Sequence, residues 1–298
     1  MTVNELDTSC LEVSKVAVVG CGVMGSGIAE ACATAGVDVT IIAKDSGSIS
    51  RGQKRIDRSM MRAVEKGTRS NAERSRTLDR MEFSTDLSAA LGCDLLIEAV
   101  PEDESAKAEV FCQLDRIGLA YDTILASTTS SVPIMRIGSN VRCPENVIGL
   151  HFFNPVMVLD LVEVVPSLIT GEGVRDRAER FISGTLGKHV VRAPDRAGFT
   201  VNAMLIPYVL SAIRMCESGA ARAEDIDKAM VLGCAHPMGP LALADLIGLD
   251  IVDAVADSLY REFRELHYSP PPLLRRMVEA GLLGRKSGQG FFAYADRG

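Results

Sequence analysis

Six residues near the start of the chain, Gly20-Cys21-Gly22-Val23-Met24-Gly25, constrain the fold more than any other stretch. They follow a short β-branched run, Lys15-Val16-Ala17-Val18-Val19, and precede Ile28, Ala29, Ala31, Cys32 and Ala35, small apolar residues at helical spacing that stop at Gly36. A second apolar run, Val37 to Ile42, comes next. Strand, glycine turn, helix, glycine stop and strand in close succession make a βαβ unit. The G-x-G-x-x-G pattern alone is weak, but this setting gives each glycine a physical task. Gly20 permits the tight turn, Gly22 lets backbone approach a pyrophosphate, and Gly25 lets helix and strand pack closely. The pyrophosphate would rest on free N–H groups at the helix start, around Gly22, Val23 and Met24.

The rest of the chain extends this unit. Asp94 to Val100, Thr123 to Ser127, Val147 to His151 and Leu161 to Val165 read as further strands, and Glu104 to Arg116 as a helix between two of them. Residues Ser46 to Arg80 read as two charged helices with a narrow apolar stripe at Ile49, Ile56, Met60 and Val64. Past Asp195 the texture becomes helical: Phe199 to Glu217, Ala223 to Leu232, Leu241 to Phe263 and Pro271 to Ala280. The expectation is an α/β protein: a Rossmann-type doubly wound, mainly parallel sheet with an inserted helical hairpin, plus a smaller all-α C-terminal domain. The expected boundaries are a flexible N-terminus at 1–14, a dinucleotide-binding domain at 15–194 and a helical substrate and dimerisation domain at 195–298.

Composition narrows the function. The 298 residues carry 32 basic and 39 acidic side chains, a net charge of −7, which disfavours nucleic acid as a partner. The eight cysteines are scattered without a C-x-x-C pair, as in a reduced, cytoplasmic protein. The four histidines form no metal-ligand cluster, so no metal is expected. The start of the chain reads as neither signal nor transit peptide, and Phe199 to Ile213 is too short and broken to span a membrane. Charge is nonetheless uneven. Between Lys44 and Glu82 eleven basic residues face six acidic ones, so a +5 segment sits in a chain whose remainder carries −12.

The second strand of such a unit usually ends in an acid that binds the adenosine ribose. Here that position is Ala43, followed by Lys44 and Asp45. Without an acid at Ala43, and with a cation beside it, a 2′-phosphate is not repelled, which admits NADP(H). Equally, Asp45 or a backbone group could serve NAD(H).

Several motifs, in order, carry a family resemblance: Ile97-Glu98-Ala99-Val100, Ala126-Ser127-Thr128-Thr129-Ser130-Ser131, Leu150-His151-Phe152-Phe153-Asn154-Pro155, His236-Pro237-Met238-Gly239-Pro240 and Gly284-Arg285-Lys286-Ser287-Gly288-Gln289-Gly290-Phe291-Phe292. From about Lys15 to Tyr294 the chain resembles the 3-hydroxyacyl-CoA dehydrogenase family, most closely its short bacterial 3-hydroxybutyryl-CoA members. The resemblance implies interconversion of (3S)-3-hydroxyacyl-CoA and 3-oxoacyl-CoA, short chains preferred, in fatty-acid or butanoate metabolism. It implies His151 as base in oxidation and acid in reduction, Glu163 as its orienting carboxylate, and Ser127 and Asn202 on the substrate oxygen. It also implies Glu98, Glu102 and Lys107 along the cofactor cleft, and a homodimer through the C-terminal domain. Thr128 stands where the family usually has Asn, and Pro101 between the two acids is less usual. Histidine suits the chemistry because its ordinary pKa lies near neutrality.

The resemblance also gives the +5 segment a role, since the hairpin after the second strand helps to hold coenzyme A in this family. Arg51 and Lys54, with Arg58 nearby, are the candidate phosphate contacts. Two other readings stay open: the same fold acting on a carrier-protein thioester or free hydroxy acid, and a non-catalytic dinucleotide-binding protein.

Overall fold

The structure is a computed structural model and describes residues 13–294. Contacts divide the chain into two compact units that meet in sequence at Asp195 and Arg196.

Among the described residues of the first unit, eight strands form one sheet in the order β3-β2-β1-β4-β5-β6-β7-β8. They are β1 (Lys15–Val19), β2 (Asp38–Ile42), β3 (Met81–Ser84), β4 (Leu95–Glu98), β5 (Ile124–Ser127), β6 (Val147–Phe152), β7 (Leu161–Pro166) and β8 (His189–Arg192). All neighbours run parallel except β6 and β7. The central strands are nearly continuous apolar runs because both sheet faces are covered. Val16, Val18, Leu95, Ile97, Ile124, Ala126, Ile148 and Leu150 are buried. Helix α1 (Val23–Thr34) packs on β1 and β2. The hairpin of α2 (Ser46–Glu65) and α3 (Asn71–Leu78) leans on α1. Helices α4 (Glu104–Ile117), α5 (Ile134–Gly138) and α6 (Glu172–Arg180) complete the unit.

The expected flexible segment 1–14 lies mostly outside the described residues. Its last two residues are held in place. Val13 is buried in the core, and Ser14 donates its N–H and hydroxyl to Asp94.

The second unit holds α7 (Val201–Glu217), α8 (Ala223–Cys234), α9 (Pro240–Ile247), α10 (Leu249–Phe263) and α11 (Pro272–Glu279) around Ile206, Leu210, Ile213, Leu241, Val252, Leu259 and Leu274. Leu241 to Phe263, expected as one helix, is two. The chain breaks at Gly248, whose φ of +104° suits glycine and few other residues. Two buried carboxylates tie the unit together. Asp227 accepts the N–H groups of Leu241 and Ala242 at the start of α9. Asp245 accepts from Phe291 N–H, Phe292 N–H and the Tyr294 hydroxyl. No helix among the described residues is long and apolar enough to cross a membrane.

Candidate active site

The glycine turn is a cradle cleared for a ligand. A Cβ on Gly20 would stand 2.4 Å from Ala99 O, and one on Gly25 would stand 1.9 Å from Gly20 O, so neither position tolerates a side chain. Gly22 is different: its missing Cβ faces open space. Gly22 is also the N-cap of α1 and offers no side-chain cap, which leaves the first N–H groups of a twelve-residue helix to an anion. Val23, in the first helical turn, is exposed. These residues therefore fit a dinucleotide pyrophosphate.

At the end of β2, Ala43 is buried and Lys44 is exposed. Asp45 caps α2, its carboxylate accepting Ser48 N–H at 2.6 Å. That backbone bond, then the Ser48 hydroxyl, holds the Asp45 carboxyl below its ordinary range. The acid nearest the ribose position is thus committed to a helix cap. Behind it, α2 is locked to the glycine turn: Arg55 donates to Cys21 O (3.1 Å) and Ser26 Oγ (3.3 Å). Gly52 lets the helix backbone sit against the Cys21 thiol, where a Cβ would come within 1.8 Å of Sγ. Arg51 donates to Ser48 Oγ, while Lys54 and Arg58 are exposed on the helix.

His151 and Glu163 are direct cross-strand partners on β6 and β7, and His151 Nδ1 lies 2.7 Å from Glu163 Oε2. Side chains directly opposite on an antiparallel pair meet without help from loops. A carboxylate only accepts, so in this pair Nδ1 carries the proton and the ring is oriented through that nitrogen. Glu163 is fully buried and His151 is 6% exposed, with the Phe153 ring edge-on at 4.6 Å. The loop beyond β6 is held by Lys188, whose ammonium donates to Val156 O (2.8 Å) and Leu159 O (2.9 Å). Lys188 was not foreseen; a lone Lys before a polar edge strand gives no sequence signal.

Between the turn on β1 and His151 on β6 lie only β4 and β5. The span is about 14 Å at ~4.8 Å per strand step. The carboxyl ends of those strands carry Glu98 and Ser127, paired in register. Ser127 is buried and donates its hydroxyl proton to Glu98 Oε2 at 2.6 Å. It accepts Thr129 N–H at 3.2 Å. Ser127 also pairs with Gly149, two residues short of His151. At ~3.3 Å per residue that places it about 6–7 Å below the imidazole along the strand direction. Its one proton is therefore committed away from the cleft. Ser130, three residues on, is partly exposed and its hydroxyl lies 3.3 Å from Glu102 Oε1, a difference from Ser127 that the run of hydroxyls in the sequence concealed.

Glu98, Glu102 and Lys107 do come together. Lys107, 1% exposed, lies 2.9 and 3.2 Å from the Glu98 oxygens and 3.2 Å from Glu102 Oε2. Glu102 Oε1 accepts from the Thr129 and Ser131 hydroxyls and the Ser130 and Ser131 N–H groups at 2.7–2.9 Å. Partial burial works against the Glu102 charge, but Lys107 and these donors outweigh it and hold the carboxyl below its ordinary range. Asn202 lies in the first turn of α7, in the second unit. Among the described residues, no group of three or more His, Cys, Asp or Glu side chains is placed to hold a metal ion.

A doubly wound sheet with a dinucleotide turn and a buried His–Glu pair at the carboxyl ends of its strands defines a nicotinamide-dependent oxidoreductase. The chain belongs to the 3-hydroxyacyl-CoA dehydrogenase family. It matches the family's NAD binding domain over residues 15–196 and its C-terminal domain over residues 198–294. It is 54% identical to a 3-hydroxybutyryl-CoA dehydrogenase of Mycobacterium tuberculosis, over 95% of this chain and 99% of that one. A probable 3-hydroxybutyryl-CoA dehydrogenase of Bacillus subtilis is 42% identical, covering 96% and 99%. Among solved structures, M. tuberculosis FadB2 superposes with a TM-score of 0.94 at 54% identity, covering 95% and 100%. The (S)-3-hydroxybutyryl-CoA dehydrogenase PaaH1 of Ralstonia eutropha gives 0.91 at 38%, covering 96% and 100%.

Proposed function

We propose that this chain interconverts (3S)-3-hydroxybutyryl-CoA and acetoacetyl-CoA, as a cytoplasmic enzyme of fatty-acid or butanoate metabolism. The observation that carries the reading is the His151–Glu163 pair, set three strands from a turn cleared for a dinucleotide. The nicotinamide cofactor supplies or accepts the hydride at C3. His151 Nε2 takes the hydroxyl proton in oxidation and returns it in reduction, while Glu163 fixes the ring and stabilises the imidazolium. The hydroxyl that meets the substrate oxygen is that of Ser130 rather than Ser127, supported by the burial of Ser127 and its 2.6 Å bond to Glu98, against the partial exposure of Ser130 and its longer 3.3 Å contact with Glu102. Exposed basic residues of α2, Lys54 foremost, receive the coenzyme A phosphates.

Both NAD(H) and NADP(H) are accepted. Ala43 presents no acid to a 2′-phosphate, Asp45 is occupied as a helix cap, and Lys44 supplies a cation. The enzyme works as a homodimer through the second unit, where Met204, Leu232, Leu246 and Ile251 are exposed; sedimentation at the monomer mass would remove that part of the reading. Steady-state reduction of acetoacetyl-CoA with NADH and NADPH in parallel tests the rest. Turnover with both cofactors, abolished by His151→Ala while cofactor binding survives, is the expected result. No turnover with either cofactor, or turnover only with carrier-protein thioesters, sinks it.

A further inference from the structure

Glu98 lies at the centre of the site yet has no access to it. It is fully buried, and its carboxylate accepts from Val100 N–H (2.8 Å), the Ser127 hydroxyl (2.6 Å) and Lys107 (2.9 and 3.2 Å). A buried carboxylate left without partners is strongly disfavoured, so this degree of satisfaction is needed simply to keep it in the core. A serine hydroxyl has one proton and two lone pairs. Once Glu98 takes the proton, Ser127 can only accept, and the donor it accepts from is the N–H of Thr129. Glu98 O also accepts Thr128 N–H at 3.0 Å. Glu102, joined to Glu98 through Lys107, grips Thr129, Ser130 and Ser131 from the other side. Residues 127–131 are thus set between two carboxylates that share one ammonium.

We propose that Glu98 is a positioning residue: it fixes the direction of the Ser127 hydroxyl, and through it the turn that delivers Ser130 to the substrate oxygen. Lys107 balances the buried charge and couples Glu98 to Glu102, so the segment is held in one conformation before substrate arrives. The inference rests on the reading that Ser130 meets that oxygen, and it gives a role to an acid that cannot itself touch substrate.

Glu98→Gln tests it at constant shape. An amide nitrogen in place of Oε2 donates to Ser127, turns the hydroxyl proton toward Thr129 N–H and sets two donors against each other. In Glu98→Gln and Ser127→Ala, kcat for acetoacetyl-CoA reduction should fall about tenfold while the dissociation constant of the reduced cofactor, read by fluorescence titration, stays within about twofold. The double variant should be no slower than the slower single one, because both changes act through one hydrogen bond. Combined with Ser130→Ala, Glu98→Gln should cost less than about twofold more. Multiplicative losses, or a loss of cofactor affinity matching the loss of kcat, overturn the proposal. If Glu98→Gln fails to fold by circular dichroism, Ser127→Ala decides alone, and an unchanged kcat overturns it. Wild-type enzyme inert toward acetoacetyl-CoA is a failure of the functional reading instead, whereas active wild type with indifferent variants is a failure of this inference.

Discussion

The end of the second strand is where a dinucleotide fold commonly tells apart two cofactors that differ by one phosphate, and here that position is Ala43. A carboxylate there would bond the ribose diol and repel a 2′-phosphate; alanine does neither. The neighbouring acid is engaged elsewhere: Asp45 accepts Ser48 N–H to cap α2. Ala43→Asp should therefore lower kcat/KM with NADPH relative to NADH by about a hundredfold, a differential of ~2.7 kcal/mol. Parallel kinetics with the two cofactors check it, and an unchanged ratio returns the discrimination to some other residue. The absence of the acid was legible in the sequence; the occupation of Asp45 was not, since capping depends on where a side chain turns. The His151–Glu163 pair was legible for a complementary reason. Two short apolar runs joined by a proline-containing loop put His and Glu within reach, and the antiparallel register then makes them partners. Ser127 and Ser130 could not be told apart by type. Only the register of β5 against β6 shows that Ser127 stops two residues below the imidazole.

At the level of elements, strands buried on both faces announced themselves as apolar runs, and the two edge strands did not. Met81–Ser84 and His189–Arg192 are four residues each, half-buried or exposed throughout, and owe their conformation to one neighbour apiece. The seam between α1 and α2 was equally hidden, although it positions the basic helix against the glycine turn. Within it Glu30 is buried and accepts the Ser59 hydroxyl at 3.0 Å. Burial pushes its pKa up to about 7, against the opposing effects of the Ser59 bond and Arg69. The native state then holds a proton that the unfolded chain releases near pH 4.5. Stability from this group is full below the unfolded pKa and is lost as pH rises toward and through about 7. Glu30→Gln, which keeps an acceptor for Ser59, should flatten that decline. It should raise stability above neutrality by an amount on the order of 3 kcal/mol relative to its effect at pH 4. Urea unfolding at pH 4, 6 and 8 measures this; parallel curves for variant and wild type would falsify it.

For the whole molecule, charge is the property that composition states and structure localises. The net −7 would predict repulsion of a polyanionic thioester carrier, yet eleven of the 32 basic residues fall between Lys44 and Glu82. That interval is the α2–α3 hairpin with its flanks, and part of its charge is internally spent. Arg74 pairs with Asp57, Arg80 with Asp38, and Arg55 with the glycine turn. Lys54, Arg58 and Arg62 stay exposed on α2. Exposed charges act over a distance set by salt, about 10 Å at 0.1 M, so their attraction for phosphates should fade as ionic strength rises. Raising salt from about 20 to about 200 mM should increase KM for acetoacetyl-CoA roughly fivefold. KM for the acetoacetyl-pantetheine thioester, which lacks the nucleotide, should hardly move. Lys54→Ala should reproduce the selectivity at low salt, weakening acyl-CoA and sparing acyl-pantetheine, because it removes one phosphate partner and leaves the His151–Glu163 pair untouched. Equal responses of the two thioesters would mean that the hairpin's charge serves solvation alone, and that CoA is held by its pantetheine arm.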